Sequence, residues 1–267
     1  PREERERIQA LALKSYRVLT VLHEHVGGVP QVVGPTHAFQ TDAGDVVTIS
    51  PLETGVSLLD LAASESVIDE VLRLAIVRDA AEALKASHLA GIAHRQFSAQ
   101  CVSVGSEQAD PFGVVARVGG WDRAQIMESQ RGSAVPSMGP GMDRFVPPEA
   151  LGGLVESWPA VDLWALGSLI RWVWTELGGE ESVPLPGPLA SLADVLCAVD
   201  PEERESTSAL EVADVARRLI QEQFGPTQED DPDDGQDPAR FVLEPGACLG
   251  GRYEILEVLG RGATGIV

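Results

Sequence analysis

The stretch GIAHRQFSAQCVSV, residues 91–104, follows a long helical pattern and sets His94, Arg95, Gln96 and Cys101 close together in a segment that has no helical period of its own. A glycine opens it and a β-rich run, CVSV, closes it, so it reads as an ordered loop between a helix and a strand. Cys101 with His94 seven residues earlier suggests a nucleophile and its base, but seven residues of loop do not define such a pair and no oxyanion motif follows. The cysteine is read as a core or near-surface thiol.

Upstream, VIDEVLRLAIVRDAAEALKASHLAG predicts a helix over residues 67–90 that stops at Gly91. A shorter helix is predicted over 57–63. Before these, REERERIQALALKSYRVLTVL places Ile8, Leu11, Ala12, Tyr16, Leu19 and Leu22 at intervals of three and four, an amphipathic helix with a charged start that ends before Gly27-Gly28. VPQVVGPTHAF and DVVTIS, separated by TDAGD, predict an antiparallel hairpin. Downstream, the aperiodic SQRGSAVPSMGPGMDRFVPP (129–148) predicts an exposed loop, followed by helices over 161–177, 189–199 and 208–224. Trp158, Trp164, Trp172 and Trp174 are read as core residues rather than a base-stacking platform.

The chain has 267 residues, 44% of them apolar, which suffices for a substantial core. Its 41 acidic and 20 basic side chains give a net charge of −21, which disfavours nucleic acid and anionic membrane surfaces as partners. Cys101, Cys197 and Cys248 lie far apart with no CxxC pair, so neither a disulfide framework nor a zinc site is expected, and the cytoplasm is the expected compartment. No apolar run is long enough to span a bilayer. His23 and His25 have no third ligand nearby and are read as a surface cluster, so no metal is assigned. Pro1 in place of a starting Met leads to the expectation that the chain is a segment of a longer protein.

The order of these elements, with HRQFSAQCV after the long helix, resembles the C-terminal lobe of a protein kinase of the Ser/Thr type. The family's catalytic loop, DFG segment, APE segment and the Asp-Trp helix that follows find counterparts at His94-Arg95-Gln96, Gly120-Trp121-Asp122, Pro147-Pro148-Glu149 and Asp162-Leu163-Trp164. DPEER, residues 200–204, is similar to the late segment whose arginine pairs with the APE glutamate. The resemblance implies an α+β, protein kinase-like fold, mostly the helical C-lobe, with a partial N-lobe of helix C and a β-hairpin over residues 1–225. The first N-lobe strands are lacking.

Phosphoryl transfer needs a carboxylate to orient the attacking hydroxyl, a cation near the transferred group and oxygen ligands for Mg²⁺. At the corresponding positions stand Gln96, whose amide takes no proton at neutral pH; Ser98, without charge; Cys101, a soft ligand; and Gly120, which offers none. The helix C glutamate position holds Ser15, Tyr16 or Arg17. The residues with structural roles in the family, His94, Arg95, Trp121, Glu149, Asp162 and Arg204, are kept. The resemblance therefore implies a pseudokinase, with no cofactor in 1–225. Two other readings stay open: a divergent active kinase that uses Asp122 as a displaced carboxylate, and a nucleotide-binding module without turnover. Ser129, Ser133 and Ser137 are weighed as phosphate acceptors beside Arg123, Arg131 and Arg144, with an ordinary flexible loop as the plainer reading.

Residues 226–241 open with PTQEDDPDDGQDPA, six carboxylates and no base, which predicts an extended, disordered acidic linker. After it, RYEILEVL and GRGATGIV resemble the first strand and Gly-rich loop of a second bacterial-type Ser/Thr kinase domain over 242–267. Gly260, Gly262, Gly265 and Val267 fit its GxGxxGxV pattern. ATP and Mg²⁺ are expected for that domain when complete. The kinase domain of the same polypeptide is the expected partner, with other proteins or a second copy as further partners.

Overall fold

The computed structural model describes residues 2–52, 55–64, 68–106, 114–127, 142–152, 155–178 and 183–224, together with the short strands at 248–249, 253–254, 261–262 and 265–266. It divides into two compact units, Pro1–Gly225 and Pro226–Val267.

The first unit opens with helix α1 (Arg2–Val26), which ends where Gly27 turns into the left-handed region at φ 77°. Its C-terminal half buries Val18, Leu19 and Leu22, whereas Ile8, on the same predicted stripe, is 58% exposed. Strands β1 (His37–Gln40) and β2 (Val46–Ile49) pair antiparallel with His37 opposite Ile49. The predicted hairpin is thus trimmed on its first side. Pro30 and Pro35 have no amide to donate to a ladder, and the segment between them turns instead to the later strand Val114–Val118, Val33 donating to the Val118 carbonyl (3.0 Å) and Val118 to that of Gln31 (2.7 Å).

Strand β3 (Val56–Ser57) runs into helix α2 (Leu58–Ala63), capped by the Ser57 hydroxyl. Helix α3 (Glu70–Leu89) begins three residues later than periodicity suggests because the Asp69 carboxylate accepts the Leu72 amide at 2.8 Å. Strand β4 (Ile92–Ala93) follows, then β5 (Val102–Ser106) and β6 (Val114–Val118). The order β3-β5-β6 forms one antiparallel sheet, and β4 pairs with β7 (Gln125–Ile126).

Beyond the short α4 (Pro148–Leu151), helix α5 (Trp158–Glu176) starts earlier than predicted: Ser157 caps it at the Ala160 amide, and Pro159 is tolerated in the first turn. Helices α6 (Gly187–Leu196), α7 (Pro201–Arg204) and α8 (Ala209–Phe224) complete the unit. Helix α3 packs against α5 and α8, and α5 against α6. Gly167 permits the last approach, since a β-carbon there would fall 2.7 Å from the Leu196 β-carbon. Leu74, Ile76, Leu84, Leu166 and Leu169 are fully buried, each contributing about 1.5–3 kcal/mol of transfer free energy. Trp158, Trp172 and Trp174 are buried, while Trp164 is only half-buried because its indole reaches out to donate to the Arg144 carbonyl at 3.0 Å.

In the second unit, β8 (Cys248–Leu249) pairs antiparallel with β9 (Tyr253–Glu254), and β10 (Arg261–Gly262) with β11 (Gly265–Ile266), Gly262 opposite Gly265. Gly260, Val267 and the acidic 226–241 segment lie outside the described residues. No described helix is long and apolar enough to cross a membrane.

Candidate functional site

The loop after β4 is held from beneath by Asp162, a fully buried residue on the first turns of α5. Its carboxylate accepts the backbone amides of His94 and Arg95, both at 2.7 Å, and the His88 Nε2 at 3.0 Å. Bonding to an ionised acceptor strengthens each contact, and together they fix Arg95 at φ 69°, a conformation a non-glycine residue adopts only when its surroundings impose it. The Arg95 guanidinium lies 4.0 Å over the Trp158 ring. His88, whose partner is 74 residues away, carries no local signal in the sequence.

His94 is fully buried and donates from Nε2 to the Gly119 carbonyl at 2.8 Å. That bond places the proton on Nε2 and leaves Nδ1 without a partner among the described residues. Burial holds the imidazole below its usual value, against the opposing pull of Asp162. Trp121 packs on it, ring centroids 4.6 Å apart, and donates from Nε1 to the Val118 carbonyl at 2.9 Å. Helix α1 lies against this Trp121–Arg123 turn. Where the family's helix C glutamate would stand, Ser15 is buried, Tyr16 half-buried and Arg17 exposed. Burial, and then the nearby Arg95 and Arg123, push the Lys14 ammonium below its ordinary value.

Glu149 at the start of α4 and the fully buried Arg204 of α7 form an ion pair, and Arg204 also donates to the Ala198 carbonyl at 3.0 Å. Its guanidinium stands 5.4 Å from the Trp164 ring. Asp79, a carboxylate on the apolar side of α3, accepts the Ala116 amide at 2.9 Å and so ties α3 to β6. An acid in phase with Ala75 and Ala83 is the signal that marks it. Arg144, weighed as a phosphate receiver, pairs instead with Glu176 at 3.1 Å. Ser129, Ser133, Ser137 and Arg131 lie outside the described residues.

A cleft of about 400 Å³ is lined by Ser57, Gln96, Gln100, Cys101, Gly120 and Asp122, among others. Ser98 is buried beside it, its hydroxyl 3.9 Å from the Cys101 sulfur. Cys101 Sγ donates to the Gln96 carbonyl at 3.2 Å, and burial pushes the thiol up to about 11. Gly120 sits at φ 78°, and a β-carbon there would stand 3.1 Å from Cys101 Sγ. A larger groove of about 720 Å³, between α1 and the 28–36 segment, contains none of residues 94–101.

Mg²⁺ does not fit this donor set. A protonated thiol is a poor ligand for a hard cation, Gly120 supplies nothing, and Asp122, the carboxylate among the described lining residues, has the Arg123 Nε 3.4 Å away. Among the described residues no group of three His, Cys, Asp or Glu side chains is placed to hold a metal.

No protein-family model matches the sequence, and none of the curated proteins does. Among solved structures, the chain has a counterpart in the crystal structure of Rad53 kinase domain and SCD2, with a TM-score of 0.52 at 21% identity over 73% of this chain and 72% of that one. The fold is protein kinase-like. It has a helical C-lobe, α3 to α8, and a partial N-lobe made of α1 and the β1–β2 hairpin. Gln96, Gln100 and Cys101 of the loop and Gly119, Gly120 and Asp122 of the turn line the cleft of about 400 Å³.

Proposed function

We propose that residues 1–225 form a catalytically inactive kinase-like module, a pseudokinase, that regulates or scaffolds a Ser/Thr kinase domain in the same polypeptide. The observation that carries this reading is the composition of the cleft: a neutral amide, a hydroxyl, a protonated thiol and a glycine stand at Gln96, Ser98, Cys101 and Gly120, while the anchors His94, Arg95, Asp162, Glu149 and Arg204 are intact. Phosphoryl transfer depends on positioned charge, and these four positions supply none. In this reading the strands carrying Gly262 and Gly265 belong to the partner kinase domain, which takes ATP and Mg²⁺; a second copy of the module is a further partner. The cytoplasm is the compartment that suits Cys101 and Cys197, which are free thiols.

The test is ATP turnover and autophosphorylation by the full 267-residue chain. The reading predicts neither above background, and turnover abolished by Asp122→Ala overturns it. Asp122 favours one competing reading, a divergent active kinase, because its carboxylate lines the same cleft as Gln96. Binding without turnover is separated by a thermal shift with ATP that is the same with and without Mg²⁺.

A further inference from the structure

The loop and the turn that face each other across the cleft are tied at two points. The Gly119 amide donates to the Cys101 carbonyl at 2.8 Å, and the Gly119 carbonyl accepts from His94 Nε2. Beside these ties, Cys101 Sγ lies 3.1 Å from the position a β-carbon on Gly120 would take, which is tighter than ordinary van der Waals contact. The sulfur donates to the Gln96 carbonyl, a bond that it gives up if it swings aside.

We propose that the two Gly119 hydrogen bonds and the Cys101 thiol, which fills the space beside Gly120, form a closed latch: the bonds join the 94–101 loop to the 119–123 turn, and the sulfur disfavours a side chain at position 120. This goes beyond the inactive-module reading. Besides the ligand missing at 120, a carboxylate introduced there must displace the sulfur. The latch also locks Trp121, the next residue, in its place between His94 and α1, so that the cleft and α1 keep one arrangement.

The test is a double-mutant cycle on the full chain, read as melting temperature in the absence of nucleotide and metal, so that its outcome is independent of the turnover assays. Gly120→Ala meets the same left-handed strain in either background, and only the clash depends on the sulfur. Gly120→Ala lowers the melting temperature by about 3–8 °C in the native background and by less than half as much in Cys101→Ala, which removes Sγ and leaves Cβ at an ordinary 3.7 Å. Equal losses in the two backgrounds overturn the latch. If Gly120→Ala does not fold, folding in the Cys101→Ala background supports the latch, and failure in both refutes it. Gly120→Asp adds a second readout: Mg²⁺ leaves its melting temperature unchanged while Cys101 is present, and a Mg²⁺-dependent rise in that single variant overturns the proposal.

Discussion

The Arg95 guanidinium lies over the Trp158 indole, 4.0 Å from the ring centroid, with both residues buried. The aromatic face offsets part of the cost of placing a cation in the interior. Trp158→Phe keeps a face there and costs about 1 kcal/mol or less, whereas Trp158→Leu removes the face and costs about 2–3 kcal/mol. Denaturant unfolding of the two variants checks the order.

Asp162→Ala leaves the His94 and Arg95 amides and His88 Nε2 without their shared acceptor. Loss of a buried charged acceptor costs about 3–5 kcal/mol. Asp162→Asn keeps one carbonyl oxygen and costs less. A shift in the urea midpoint, with unchanged slope, is the expected result.

Removing Glu149 strands the fully buried Arg204 cation. Glu149→Ala therefore costs about 3 kcal/mol, and Arg204→Met in that background recovers part of it, so the two changes are strongly non-additive. Additive midpoints in the four-member cycle contradict the pairing.

His94 is buried neutral, its value held below the ordinary 6.5. Above 6.5 neither state binds the proton; below it the unfolded chain does and the folded one does not. Stability therefore falls as pH drops from 6.5 towards the depressed folded value, by up to about 1.4 kcal/mol per pH unit for this one group, and levels off below it. His94→Gln loses that part of the slope, measured as unfolding free energy between pH 7.5 and 5.

With its thiol pushed up to about 11 from 9.0, Cys101 reacts with iodoacetamide at pH 8 roughly 100-fold more slowly in the folded chain than in urea. Peptide-resolved mass spectrometry separates it from Cys197 and Cys248.

The helices were legible because apolar spacing is set by α-helical geometry, and their true starts at Asp69 and Ser157 follow from side-chain caps that periodicity does not register. The N-lobe hairpin was less so: its valines suggest a longer first strand, and only the prolines at 30 and 35, with the competing hydrogen bonds of Val118, divert the chain. At the site, sequence order named Asp162, Glu149 and Arg204. His88, Lys14 and the sulfur facing Gly120 owe their places to tertiary packing between segments remote in sequence, and no local pattern encodes that. The left-handed turn at Gly120 is the nearest to a visible signal, since glycine is the residue it favours.

Helix α5 takes the load from three separate segments: Asp162 and Trp158 hold the 94–95 loop, Trp164 and Ser168 bind the Arg144 carbonyl at 3.0 and 2.8 Å, and Gly167 seats α6. None of these elements can open without exposing part of that helix. Its amides should accordingly be the last to exchange with solvent deuterium, at the free energy of global unfolding, with the loop, the Arg144 segment and α6 behaving as one cooperative unit.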